Sequence, residues 1–156
     1  MWISYSERPL KVEEICHALA VEIGSSDINA NNVPSIRTVL VCCQGLVAVD
    51  KGSSTVRLIH FTLKEYLSCH AALFDGAHSK IAESCLTYLN FQTIKNLPVS
   101  VYTRGGIRRT PYPGSDKMKL LLRPPLLQYS SFYWGTHMRM DPSDHSRRLA
   151  RDLLNQ

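Results

Sequence analysis

The sequence predicts a mainly α-helical chain that carries one small β-hairpin, followed by an α-helical extension with a long basic loop. Three observations lead to that fold class. Apolar residues recur every three or four positions over several separate stretches, the spacing that gathers them on one face of a helix. A short apolar run, Leu46 to Val49, is separated by Asp50-Lys51-Gly52-Ser53-Ser54 from a second run, Thr55 to Phe61, and a loop of this length between two β-prone runs reads as a hairpin. Residues 95–123 contain Pro98, Gly105, Gly106, Pro111, Pro113 and Gly114, which rule out one continuous helix there.

Taken in order, Trp2 to Tyr5 is apolar and aromatic with no capping residue ahead of it, and reads as the tail of an element that began upstream. Arg8-Pro9-Leu10 forms an extended lead-in, because Pro9 disfavours helix at Arg8. From Lys11 to Val21, Val12, Ile15, Cys16, Leu19 and Ala20 recur at helical spacing; Glu13 and Glu14 favour the positive N-terminus, and Gly24 reads as the stop. Residues 25–33 are rich in Ser, Asp and Asn and form a loop. Pro34 suits the first turn of a helix to Cys43, capped by Asn32 or Ser35, with Ile36, Val39, Leu40 and Cys43 as its buried stripe. Gly45 ends it and the hairpin follows.

Beyond the hairpin, Leu63, Tyr66 and Leu67 make the apolar stripe of a further helix, with Thr62 as its cap and Glu65 completing a capping box. Ser79 to Leu89 is helical, with Ile81, Ala82, Cys85, Leu86 and Leu89 facing one way. After the basic loop, Leu126 to His137 reads as an aromatic helix, and Asp141-Pro142-Ser143-Asp144 opens a last amphipathic helix through Leu149, Leu153 and Leu154.

Helix, helix, strand, turn, strand is the order of a winged-helix domain, with the hairpin as the wing. The chain also resembles a known family through Trp2-Ile3-Ser4-Tyr5, Arg8-Pro9-Leu10, the helix from Glu13-Glu14 to Ala18-Leu19-Ala20, Gly45-Leu46-Val47, and His60-Phe61-Thr62-Leu63-Lys64-Glu65-Tyr66-Leu67. It is similar to the "GPI inositol-deacylase winged helix" segment that follows the NACHT nucleotide-binding domain in fungal NACHT-ankyrin proteins. The resemblance covers residues 2–92 and resumes at Gln128 to His137, where the helix with Tyr129, Tyr133 and Trp134 is similar to one that precedes the ankyrin array. It implies a winged-helix domain over 1–70, a helical extension over 71–94, and C-terminal helices over 126–156 leading toward a repeat region that lies outside this chain; between them, where the resemblance fades, composition alone gives a basic Pro/Gly-rich loop over 95–125.

Composition narrows the function classes. A chain of this length buries roughly 68 to 70% of the surface its unfolded form exposes, enough for a core. No apolar run approaches the roughly 20 residues that span a bilayer and no secretory leader is visible, so the expected address is the cytoplasm, without membrane association. The formal net charge of +5 is local. Residues 1–68 carry six basic and seven acidic side chains, whereas 95–123 hold Lys95, Arg104, Arg108, Arg109, Lys117, Lys119 and Arg123 against Asp116. The five cysteines, Cys16, Cys42, Cys43, Cys69 and Cys85, lack C-x-x-C spacing, and four fall on apolar helical faces, which points to reduced core thiols. Arg8 has Glu7 and Glu13 as candidate ion-pair partners.

Catalytic carriers are absent from the sequence. There is no G-x-x-x-x-G-K-[ST], no G-x-S-x-G and no H-E-x-x-H, and Asp144-His145-Ser146 occupies successive helical positions that diverge in space. The expectation is a protein that is not an enzyme and holds no metal. Cys16-His17 and Cys69-His70 are neighbours that point about 100° apart on a helix and do not share a metal readily.

The residue that stands out is His60, at the end of the wing strand. One reading is a strand-end histidine satisfied by backbone. The other comes from the resemblance: in related nucleotide-switch proteins a histidine at this position contacts the β-phosphate of ADP bound in the neighbouring nucleotide domain. This chain departs from the plant and animal relatives, which often place Met-His-Asp where it has Ile59-His60-Phe61, so a carboxylate orienter is missing. A hydrogen bond to a charged group contributes about 1.5 to 3 kcal/mol, short of the roughly 5.5 kcal/mol that reverses a two-state switch from 1:99 to 99:1.

Two functions follow. The resemblance implies a non-catalytic regulatory module of a NACHT-ankyrin signalling NTPase. It would contact NACHT and ankyrin-repeat domains of the same protein, with ADP or ATP bound by the NACHT domain and homo-oligomers forming on activation. The alternative is a free-standing winged-helix nucleic-acid-binding protein; it is disfavoured because the recognition-helix candidate, Pro34 to Cys43, carries only Arg37 to contact phosphates or bases.

Overall fold

The computed structural model describes residues 1–97 and 124–155. The chain opens with a short helix α1 (Trp2–Tyr5), a two-residue strand β1 (Leu10–Lys11) and helix α2 (Val12–Ala20), then a 3-10 turn at Ala30–Asn32 and helix α3 (Ile36–Cys42). The wing is β2 (Val47–Asp50) and β3 (Thr55–Leu58). Helices α4 (Phe61–Cys69), α5 (Ala77–Leu89), α6 (Gln92–Lys95), α7 (Leu127–Met140) and α8 (Asp144–Leu154) follow. The mainly α fold class with a small sheet is as the periodicity predicts.

The extended lead-in becomes a third strand. Leu10 pairs with Val56 and Lys11 with Thr55, so the sheet is antiparallel in the order β1-β3-β2, with β3 central. The wing strand is shorter than the run Thr55 to Phe61 suggests: regular pairing stops at Leu58, and one further bond runs from the Ile59 amide to the Leu46 carbonyl at 3.1 Å. Lys11 turns directly into α2, whose Glu14 carboxylate accepts from the Lys11 amide at 2.7 Å and so satisfies an orphan donor of the first turn. The helix stops at Ala20, before Gly24, which serves a later turn at φ +86°.

Helix α3 begins after Pro34 instead of at it. Ser35 takes the cap, its hydroxyl accepting from the Thr38 amide at 3.2 Å. Gln44 and Gly45 at φ +47° and +81° reverse the chain into β2. Ser143 caps α8 as the Asp-Pro-Ser-Asp run suggests; its hydroxyl accepts from the Ser146 amide at 2.9 Å and donates to Glu83 of α5 at 2.5 Å.

One hydrophobic cluster joins the parts. Trp2, Leu10, Ile15, Cys16, Val47 and Val56 share it with Ile81, Cys85, Tyr88 and Phe91, and with Leu126 and Tyr129. The stripe read from Ser79 to Leu89 is fully interior, Ile81, Ala82, Cys85 and Leu86 having no exposed surface. Burying each large aliphatic side chain contributes about 1.5 to 3 kcal/mol. Helix α5 packs most extensively on α7 and also on α8, so its outer faces are covered by helices that follow the basic segment. That segment, predicted as a loop over 95–125, lies outside the described residues from 98 to 123.

Helix α4 differs from its predicted amphipathic role. None of its residues is buried: Leu63 and Leu67 are half-buried, while Phe61 and Tyr66 are 67% and 54% exposed. Two of the cysteines expected in the core, Cys42 and Cys69, are exposed; Cys16 and Cys85 are buried, and all five are free thiols.

Candidate functional site

The wing strand delivers His60 to the start of α4. Alternation along β3 places Val56 in the core at 2% exposure and Arg57 on the outer face. At His60 the backbone is still extended, φ −146° and ψ 147°, and the residue itself is the cap of α4. Its Nδ1 accepts from the Thr62 amide at 3.3 Å and lies 2.8 Å from Thr62 Oγ1. The predicted capping box on Thr62 and Glu65 is therefore displaced by two residues, because a histidine with extended backbone reaches the second amide of the helix itself. The Phe61 ring stands 4.7 Å from the imidazole, tilted by 33°.

His60 lines a cleft of about 330 Å³ together with the polar residues Ser6, Glu7, Arg8, Arg57 and Lys64 and the apolar residues Ile3, Pro9, Val56, Leu58 and Phe61. Its cations are unequally committed. Arg8 forms a two-pronged ion pair with Glu14, at 2.6 and 2.8 Å, and its guanidinium lies 5.3 Å from the centre of the Tyr129 ring. Glu14 holds Arg8 above its usual range, and this partner replaces the expected Glu7 or Glu13. Arg57 reaches Asp50 across the hairpin at 3.0 Å. The Asp50 carboxyl is held below its usual range chiefly by the Ser53 hydroxyl and Gly52 amide, with Arg57 a smaller cause. Among the described residues Lys64 has no ion-pair partner. The cleft thus offers one free ammonium, two guanidiniums with remaining donors, and the ring edge of His60.

Reasoning from sequence singled out His60, passed over Arg57 and Lys64, which share its cleft, and gave Thr62 only a capping role. The signals were present: Arg57 is the outward residue of an alternating strand, and Lys64 stands four positions after His60, close enough to share its side of the helix start. The aromatic side chains Tyr66, Tyr133 and Trp134 are placed differently. Tyr133 and Trp134 are partly buried against the core, while Tyr66 is exposed and stacks on His70 with ring centres 4.1 Å apart.

A second polar cluster is interior. His137 is fully buried on α7; its Nε2 lies 2.8 Å from the Tyr129 hydroxyl, and its Nδ1 lies 2.8 Å from Nδ1 of His78 on α5. The Tyr129 hydroxyl also accepts from the Glu7 amide at 3.1 Å. Burial, with His78 beside it, lowers the His137 pKa to about 4, and burial raises that of Tyr129 to about 12. The cluster ties the residues ahead of β1 to α5 and α7.

Among the described residues, no group of three or more His, Cys, Asp or Glu side chains is placed to hold a metal ion, and no helix is long and apolar enough to cross a membrane. Asp144 and Ser146 act locally, Asp144 on Arg147 at 3.3 Å and Ser146 in the α8 capping box. No curated protein and no solved structure matches the chain. The family model described as "GPI inositol-deacylase, winged helix domain" matches residues 1–84, more than half of the 156, and runs from α1 into α5. With its wing, its three-stranded sheet and that match, the chain belongs to the GPI inositol-deacylase winged helix domain family.

Proposed function

We propose that the chain is a non-catalytic regulatory module of a NACHT-ankyrin signalling NTPase, coupling nucleotide state to a downstream repeat domain, with His60 as a sensor of the ADP phosphate. The observation that carries this reading is the placement of His60 on the rim of a cleft shared with Arg57, Lys64 and Arg8. Donors of that kind suit phosphoryl oxygens. At about 330 Å³ the cleft is at the small end of ligand sites, a size that suits the phosphate end of a nucleotide held elsewhere. The nucleotide itself would sit in a NACHT domain, and this module would close over it. The nucleic-acid alternative has less support: α3 carries one cation, Arg37, beside the neutral Thr38, Val41 and Cys42 on its exposed positions.

The test is a receptor reconstituted with a NACHT unit ahead of this chain. His60→Ala is expected to speed ADP release by about 10- to 150-fold, the worth of a hydrogen bond to a charged group. An unchanged release rate would remove the sensor assignment.

A further inference from the structure

The missing carboxylate orienter of His60 has a replacement in the fold. Neutral imidazole has one nitrogen that donates and one that accepts. The Thr62 amide donates to Nδ1 at 3.3 Å, a long bond that favours a lone pair there, and the Thr62 hydroxyl, 2.8 Å from the same atom and free to rotate, adds the shorter donor that fixes it. A proton on Nδ1 would face the Thr62 amide and break the cap of α4. The Phe61 ring restrains the imidazole from one side.

We propose that Thr62 is a positioning residue: it fixes His60 as the Nε2–H tautomer, leaving Nε2–H as a neutral donor toward the occupant of the cleft shared with Arg57 and Lys64. Its final step, donation to a phosphate, rests on the sensor reading given above; the tautomer does not. A neutral donor keeps the cap of α4 intact while the contact is made. The doubly protonated ring would give up one for the other. His60 therefore acts as an oriented hydrogen-bond donor, and the unpaired positive charge at the cleft is that of Lys64, both arginines being paired with carboxylates.

The experiment is long-range proton–nitrogen NMR of the imidazoles in the full chain at about pH 8, above the ordinary histidine range. His60 is expected to show a protonated Nε2 and a bare Nδ1. Thr62→Ser should keep that signature, and Thr62→Val should shift both nitrogens toward the average of the two tautomers. A proton on Nδ1 in the unsubstituted chain, or a Thr62→Val spectrum identical to it, would overturn the proposal. In the reconstituted receptor, Thr62→Val should release ADP about two- to tenfold faster, with Thr62→Ser close to normal. If the tautomer is as expected while His60→Ala leaves ADP release unchanged, Thr62 retains its positioning role and only the sensor reading falls.

Discussion

His137 shows how one buried side chain sets a pH limit. In the unfolded chain it takes up a proton near its ordinary value of about 6.5, whereas in the fold it does so only near about 4. Between those values the unfolded state binds more protons, so falling pH favours unfolding. Its contribution is fully present above about 6.5 and is lost as pH falls to about 4. Denaturation melts over this window should therefore show the native chain losing stability faster than His137→Gln, with the two profiles running parallel above it. Profiles parallel throughout would mean that His137 is not the titrating group. Cys85 and Tyr129 work at the other end: burial raises them from 9.0 and 10.0 to about 12, so stability falls as pH rises from those values and the loss is complete near about 12.

At the scale of elements, α4 and α8 are held differently. Helix α8 depends on Ser143, whose hydroxyl both caps the helix and binds Glu83 of α5. Ser143→Ala should cost about 0.5 to 2 kcal/mol in urea unfolding; a change below that range would mean that water replaces both bonds. The sequence made α8 legible because Ser143 sits just ahead of a strongly amphipathic run, and α5 because its stripe is interior on every turn. It misled at α4 because an apolar spacing does not reveal whether a neighbour exists: Leu63, Tyr66 and Leu67 have the right period, yet none is buried and Tyr66 is exposed. Strand β1 escaped for a related reason, since two residues carry no readable periodicity and are defined by pairing with Val56 and Thr55. At the candidate site, His60 was legible as a residue type at a strand end. Arg57 and Lys64 became visible only when the sheet and helix brought them to one cleft.

For the whole molecule, the family match ends at residue 84, inside α5, yet the hydrophobic cluster does not. Leu126 and Tyr129 come from the far side of the basic segment and are fully buried beside Trp2 and Cys85. A fragment ending at residue 97 would leave that face of α5 open, so it should unfold with low cooperativity and bind a hydrophobic dye such as ANS. The full chain should do neither, and a fragment that melts as sharply as the full chain would show that α7 is dispensable. The winged-helix unit is thus braced from behind. In front, β3 is paired on both edges and anchored through Val56, while the helix that follows it has no buried residue at all. His60 is the joint between the two, so a load applied to its ring meets a stiff mount on one side and a compliant arm on the other. The arm is the part that would swing.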